Sequence, residues 1–200
     1  MEQILNHVNQ ALTVYNIALD DMEVSKEFND VCKDWNDVVK TTIKPINFLI
    51  IGEATTCSAN YFYKLKANTT SFLDPSHFNK DSKSELIDFF KKEGILVFDL
   101  YPLPLPTFIY DNVKFDCTNS QYKMALEKYY EKLDLLITKE TIIVQRYSKL
   151  YSAKKKRCEW TIFMQKIGRQ VRDFETIAGK GMQANEEKIK NSFSQNKPTF

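Results

Sequence analysis

Glu53 is the residue whose position in this sequence most suggests chemistry. It follows the apolar run 46–51 and Gly52, and three consecutive aromatic residues, 61–63, come a few positions later. A carboxylate at the end of a buried strand is either a solvated turn residue or a group that faces a ligand crevice. The aromatic residues leave two interpretations open as well, since they can cover a sheet or place one ring in a pocket.

Polar residues also follow the other apolar runs. Asp99 comes just before the proline-rich segment 101–106. It is either a second polar group of the crevice or a hydrogen-bonded anchor for that turn, because an isolated buried charge is costly. Arg146 could hold a phosphate, and the basic run 154–157 either continues that surface or forms a solvated face. Lys180 lies between two glycines, without the spacing of a nucleotide-phosphate loop.

The cysteines and histidines give little support for a metal site or a nucleophilic thiol. Four cysteines are widely spaced without a CxxC pair, and the chain has only two histidines, which argues against structural zinc. Cys57 lies close to Glu53, but a reactive thiolate needs a cationic or basic neighbour, and none is near it in sequence. We therefore expect reduced thiols, no metal and no cofactor, as in cytoplasmic proteins.

Length and charge define a broad class. Two hundred residues fit one domain or one domain with an appendage. No apolar run approaches the roughly 20 residues that span a bilayer, so the sequence predicts a soluble protein without a membrane partner. A net charge of +2 neither demands nor excludes a nucleic-acid partner. The oligomeric state is left open.

Strands alternate with helices in the second part of the chain. Apolar runs predict buried strands at 46–51, 95–100 and 141–144, and a weaker edge strand at 171–178. Helices are predicted at 85–93, between Ser82 and Gly94 as caps, at 118–137, at 158–168 and from Asn185 onward. This order predicts an α/β fold, a three-layer α/β/α sandwich around a four-stranded, mostly parallel sheet.

The N-terminal part has helical periodicity. Residues 2–18 and 20–40 predict two helices with apolar stripes. We therefore divide the chain into an N-terminal helical extension, 1–44, that packs on the core, and an α/β domain, 45–200. In such sheets the ligand crevice lies beyond the carboxyl ends of the strands.

The segment between the first two apolar runs resembles a known superfamily. Residues 52–54 read Gly-Glu-Ala after a buried strand, residues 61–63 are aromatic, and residues 94–102 form a second strand that ends in Tyr-Pro. This pattern resembles the uracil-DNA glycosylase-like superfamily by motif over residues 45–110. The order of elements extends the resemblance to about residue 190.

The resemblance implies a protein that takes a flipped nucleobase out of DNA and hydrolyses its N-glycosidic bond without a metal. Carried over by motif, Glu53 holds the water that attacks the sugar carbon, and Gly52 allows the backbone to approach the substrate closely. Ala54 completes this motif as a binding residue. A stacking ring comes from the aromatic triplet, with Phe62 preferred over Tyr61 and Tyr63.

This chain departs from the superfamily pattern at two places. Thr55 replaces the proline after Gly-Glu-Ala, and the later motif has no histidine, so that Asn185 is the candidate for its role. The remaining binding candidates follow the other strands and are Asp99, Tyr101, Arg146 and Lys180. The alternative is a non-catalytic module of the same fold that binds a nucleotide, a nucleic acid or a protein. A phosphate-handling hydrolase is a third class, and it would turn over nucleotides rather than oligonucleotides.

Overall fold

Parallel strands and the helices that connect them make up most of the part of the chain that the structure describes. The structure is a computed structural model, and it describes residues 22–43, 45–54, 62–65, 73–101, 120–145, 158–168 and 175–176, with residues 6, 10 and 13. The helices of this part are α1 (Met22–Thr41), α2 (Lys83–Glu93), α3 (Ser120–Tyr130) and α4 (Cys158–Ile167). The strands are β1 (Phe48–Ala54), β2 (Ile95–Tyr101), β3 (Ile142–Gln145) and β4 (Glu175–Thr176). Short 3₁₀ helices span Pro75–Phe78 and Glu131–Leu133.

The strands form one parallel sheet in the order β2-β1-β3-β4. In the centre, Phe48 of β1 is in register with Ile95 of β2 on one side and with Ile142 of β3 on the other. Phe48 and the three residues that follow it are buried, as expected for a central strand whose two faces are covered. The α/β class predicted from the sequence is therefore confirmed. β1, β2 and β3 form the body of the sheet, while β4 contributes a two-residue pairing with β3.

Local capping chemistry sets the bounds of α2. The Ser82 hydroxyl accepts a hydrogen bond from the Glu85 N–H at 3.2 Å, and the Glu85 carboxylate accepts one from the Asp81 N–H at 3.1 Å. Gly94 ends the helix in the left-handed region, with φ of 66°. The helix predicted between these two caps is confirmed.

Two predicted boundaries are wrong. β1 does not end at Gly52 but continues to Ala54, because Gly52 and Ala54 pair with Asp99 and Tyr101 of β2. The helix predicted over 118–137 stops at Tyr130 and continues as the 3₁₀ turn Glu131–Leu133. The pairing of β1 with β2 thus extends further toward the carboxyl edge of the sheet than the apolar runs of these two strands indicate.

Helix α1 lies against the open edge of the sheet, where β2 is the outer strand. The Trp35 indole N–H donates to the Val97 carbonyl of β2 at 3.2 Å, and the ring meets Phe98 edge-on at 5.8 Å between centroids. Cys32 and Val38 of the same helix belong to the buried core. The apolar stripe of α1 thus covers a strand edge as well as a hydrophobic surface.

Candidate functional site

Gly52 and Asp99 meet at the carboxyl edge of the sheet. The parallel register places Gly52 of β1 directly beside Asp99 of β2. A Cβ atom built on Gly52 would overlap the Oδ1 atom of Asp99 and would lie 3.3 Å from its Cγ. The Asp99 carboxyl group therefore occupies the space that any side chain at position 52 would need. The sequence predicts that Gly52 lets the substrate come close to the backbone. In this structure, the group that lies close to Gly52 is the Asp99 carboxylate.

The aromatic residues Phe62 and Tyr63 pack inside the protein. Their exposed fractions are 8% and 7%, and their rings meet edge-on at 4.9 Å. The Phe62 ring also stacks on Phe90 of α2, at 5.4 Å between centroids. The Tyr63 hydroxyl accepts a hydrogen bond from the Val97 N–H at 2.8 Å. Burial of the phenol raises the pKa of Tyr63 above its ordinary value, so Tyr63 is neutral at physiological pH.

A small cavity joins the aromatic pair to Asp99. The centres of water molecules can occupy about 30 Å³ of it. That is enough for one or two water molecules, since about 10–15 Å³ of such volume holds one. Its lining residues come from α1, the 62–63 turn, β2, α3 and the 3₁₀ turn that follows α3, and they are Val31, Cys32, Trp35, Phe62, Tyr63, Val97, Phe98, Asp99, Tyr129 and Lys132.

Lys132 brings an amine to the lining of the cavity. Its Nζ atom lies 5.2 Å from the ring centroid of Tyr129 and 5.5 Å from that of Trp35, and it donates to Cys32 Sγ at 3.7 Å. Burial lowers the pKa of the Lys132 amine and raises the pKa of the Cys32 thiol. The attraction between the two charged forms opposes both shifts, but desolvation is the larger effect in each case.

Aromatic side chains fix the backbone of β2 along the cavity. Tyr129 donates its hydroxyl to the Asp99 carbonyl at 2.9 Å, and Tyr130 donates to the Leu100 carbonyl at 2.8 Å. With the bonds that Trp35 and Tyr63 make to Val97, these contacts occupy polar groups of β2 over its carboxyl half. An unpaired strand edge is costly when buried and prone to aggregation when exposed. The side chains around the cavity therefore stabilise the strand that carries Asp99.

The structure brings four of the predicted site residues together, namely Gly52, Phe62, Tyr63 and Asp99. Glu53 and Ala54 are the last residues of β1, and Tyr101 is the last of β2, but the side chains of these three lie outside the described part. The other predicted residues also lie outside it, and these are Tyr61, Arg146, Lys180 and Asn185. The roles assigned to all of them stay predictions.

Sequence reasoning missed Cys32 and Lys132 as residues that line the cavity. Lys132 and Cys32 gave no signal, because a lysine on a helix is normally solvated and a lone cysteine normally fills a core. Trp35 and Tyr129 could have indicated this part of the site, because both lie on apolar helix stripes but carry a polar N–H or hydroxyl group. A buried indole N–H or phenol needs a hydrogen-bond partner, and the edge of an outer strand supplies one.

A second concavity, more open and about 480 Å³ in volume, lies between α1 and α2. Two of its acids already have cationic partners, since Asp37 lies 3.5 Å from Lys40 and Asp88 lies 3.5 Å from Lys91. Leu65, 60% exposed, stands at its rim. None of the described residues that line this groove selects a particular ligand.

Two general properties of the described residues bear on function. None of the helices among them is long and apolar enough to cross a membrane. Within the same part of the chain, no group of three or more His, Cys, Asp or Glu side chains has an arrangement that could hold a metal ion. The chain matches no protein-family model, and it has no significant match among curated proteins or solved structures.

Proposed function

We propose that this protein binds a nucleobase of DNA at the carboxyl edge of its sheet and hydrolyses the N-glycosidic bond, as a divergent uracil-DNA glycosylase-like protein. The observation that carries the proposal is the contact between Gly52 and Asp99 beside the cavity that Phe62 shares. This contact supports the proposal because Asp99 lines the same cavity as Phe62 and Tyr63 and is in register with the neighbour of Glu53, the residue that is expected to hold the water.

Two carboxylates have complementary roles in this proposal. Glu53 directly follows Gly52 in β1, and Asp99 is the residue in register with Gly52. Breaking an N-glycosidic bond leaves positive charge on the sugar carbon, which nearby carboxylates stabilise electrostatically. Glu53 orients the attacking water and accepts its proton, because a carboxylate in hydrogen-bond reach of water can act as a general base. Asp99 adds a second negative charge at the same edge.

The nucleobase must leave the duplex before any of these groups can reach it. Extrusion costs a few kcal/mol of stacking and pairing, and an aromatic ring in the pocket restores about 1–3 kcal/mol per base. Phe62 is the ring assigned to this role. Its contacts with Phe90 and Tyr63 fix its orientation, so that stacking on a base would cost little side-chain entropy.

The same contacts favour a second candidate function. Phe62 is 8% exposed and one face already lies on Phe90, so its ring has less surface to offer a base than a free aromatic residue. A protein of this kind could bind DNA at the sheet edge without cleaving it. The two functions differ in one measurable property, the production of abasic sites.

The test is incubation of the full chain with uracil-, hypoxanthine- and xanthine-containing oligonucleotides, single- and double-stranded, followed by strand scission at abasic sites. The proposal predicts scission with at least one base and its loss in Glu53→Gln. Glu140→Gln is the matched control, because Glu140 is a surface carboxylate with an exposed side chain. Salt-sensitive DNA binding without scission would support the non-catalytic function. If the protein neither cleaves nor binds any of these oligonucleotides, both functions are refuted.

A further inference from the structure

Cys32 and Lys132 form a close pair between two elements that are far apart in sequence. Cys32 lies in α1, Lys132 lies in the 3₁₀ turn after α3, and 100 positions separate them. The distance from Sγ to Nζ is 3.7 Å. Cys32 is 3% exposed, so its contact with the amine is part of the protein interior rather than a chance surface encounter.

Desolvation disfavours the charged form of both groups. The amine lies near the rings of Tyr129 and Trp35, and burial lowers its pKa while raising that of the thiol. A neutral amine has a free electron pair and is a nucleophile, whereas an ammonium ion is not. The site therefore combines a sulfur atom that can be oxidised with a nitrogen atom that can capture the oxidised product.

We propose that Cys32 and Lys132 are a modification site at which a peroxide oxidant forms a covalent sulfur–nitrogen link between α1 and the segment that follows α3. This inference is independent of the proposed glycosylase function. It requires neither DNA nor Glu53.

The reaction balances in two steps. In the first, Lys132 takes the Cys32 thiol proton across their hydrogen bond, and the resulting thiolate attacks hydrogen peroxide. The O–O bond breaks, and the leaving hydroxide takes a proton from Lys132 to become water, which leaves a sulfenic acid and a neutral amine. Sulfur loses two electrons and peroxide gains them. In the second, the Lys132 nitrogen attacks that sulfur, the S–O bond breaks, and the hydroxyl leaves as water with one amine proton. The sulfenamide that remains has two hydrogen atoms fewer than the starting pair.

The cavity gives the oxidant access to the sulfur atom. Cys32 and Lys132 both line it, and its volume of about 30 Å³ for water centres accommodates a molecule the size of hydrogen peroxide. The amine sits on a flexible four-carbon stem, whose rotations change the 3.7 Å distance between Nζ and Sγ.

The experiment treats the folded full-length protein with hydrogen peroxide and measures its intact mass and its proteolytic peptides. Disulfides also remove two hydrogens, so the mass is measured in a variant whose other cysteines, Cys57, Cys117 and Cys158, are changed to Ser. We expect a loss of about two mass units, reversed by a thiol reductant, and a peptide that joins Cys32 to Lys132.

Two lysine variants separate the proposed link from general oxidation. Lys132→Arg replaces the amine by a guanidinium, which stays protonated and is not a nucleophile, so the link must disappear and Cys32 must oxidise further to the sulfinic acid. Lys128→Arg is the matched control, because this exposed lysine lies one turn earlier and pairs with Glu131. If the cysteine variant does not fold, peptide mapping of the wild-type protein gives the same answer. Oxidation of Cys32 without a linked Lys132 peptide, or no oxidation of Cys32, would overturn the proposal.

Discussion

Gly52→Ala is expected to destabilise the protein through Asp99 rather than through the backbone. Gly52 is not among the glycines with positive φ, so alanine fits its backbone, and the loss of unfolded-state entropy alone would stabilise by about 0.4–1 kcal/mol. The new Cβ, however, would overlap Asp99 Oδ1. Forcing this carboxyl group aside resembles overpacking, which costs typically about 1–3 kcal/mol. The net effect is a loss of roughly 1–2 kcal/mol in the free energy of unfolding.

The sign of this effect should reverse when Asp99 is removed. In an Asp99→Ala background the Cβ at position 52 has no carboxylate to displace, since the nearest remaining atom is the Cα of residue 99 at 3.9 Å. There Gly52→Ala should stabilise by about 0.4–1 kcal/mol. Urea denaturation of the four proteins of the cycle measures the coupling, which should be about 1–3 kcal/mol. Additive effects, within about 0.5 kcal/mol, would refute the contact between Gly52 and Asp99.

Three further outcomes follow from the described contacts. Tyr63→Phe leaves the buried Val97 N–H without its partner and should cost about 1–3 kcal/mol by urea denaturation. Because the pKa of Tyr63 is raised above the ordinary 10.0, the contribution of its phenol to stability is complete below pH 10.0 and is lost as pH rises further, so this variant should show a shallower alkaline loss of stability. Ser82→Ala removes the cap of α2 and should cost about 1 kcal/mol, whereas Ser84→Ala, at an exposed position in the same helix, should cost much less. A Cys32–Lys132 link across 100 positions should raise the free energy of unfolding by up to about 4–5 kcal/mol in the chain-entropy model, seen as a higher melting temperature that a thiol reductant reverses.

Local chemistry was readable from the sequence, whereas long-range pairing was not. The caps of α2, Ser82 and Gly94, act on groups within a few residues, so their pattern alone predicts the helix bounds. The end of β1 depends on Asp99 and Tyr101, which are more than forty positions away and extend the pairing past Gly52. The position of a strand end is thus a property of two strands, and the apolar run of one strand cannot predict it.

The residues of the candidate site also fall into a group that the sequence predicts and a group that it does not. Strand order and the rule for parallel sheets place Gly52 and Asp99 at one edge, and the sequence could predict this. The wall formed by Cys32 and Lys132 could not be predicted, because their contact joins a helix before the sheet to a turn 100 positions later. Neither residue belongs to a motif, and each has an ordinary structural explanation when taken alone.

Some residues that line the cavity stabilise the fold and are also predicted to bind the ligand, so a substitution can affect binding through either role. Tyr63 is a predicted binding residue, yet its hydroxyl also accepts a hydrogen bond from the Val97 N–H, and the Tyr129 hydroxyl donates one to the carbonyl of Asp99. Loss of DNA binding in a Tyr63 variant can therefore arise from a displaced β2 instead of a lost contact with the ligand. Phe62→Leu distinguishes the two causes, because Phe62 has no polar side-chain atom and cannot hold the strand by a side-chain hydrogen bond. If Phe62→Leu abolishes binding at a melting temperature close to that of the wild-type protein, the ring contacts the base. If binding falls only in parallel with stability across both variants, the aromatic pair supports the fold and the ligand lies elsewhere on the carboxyl edge.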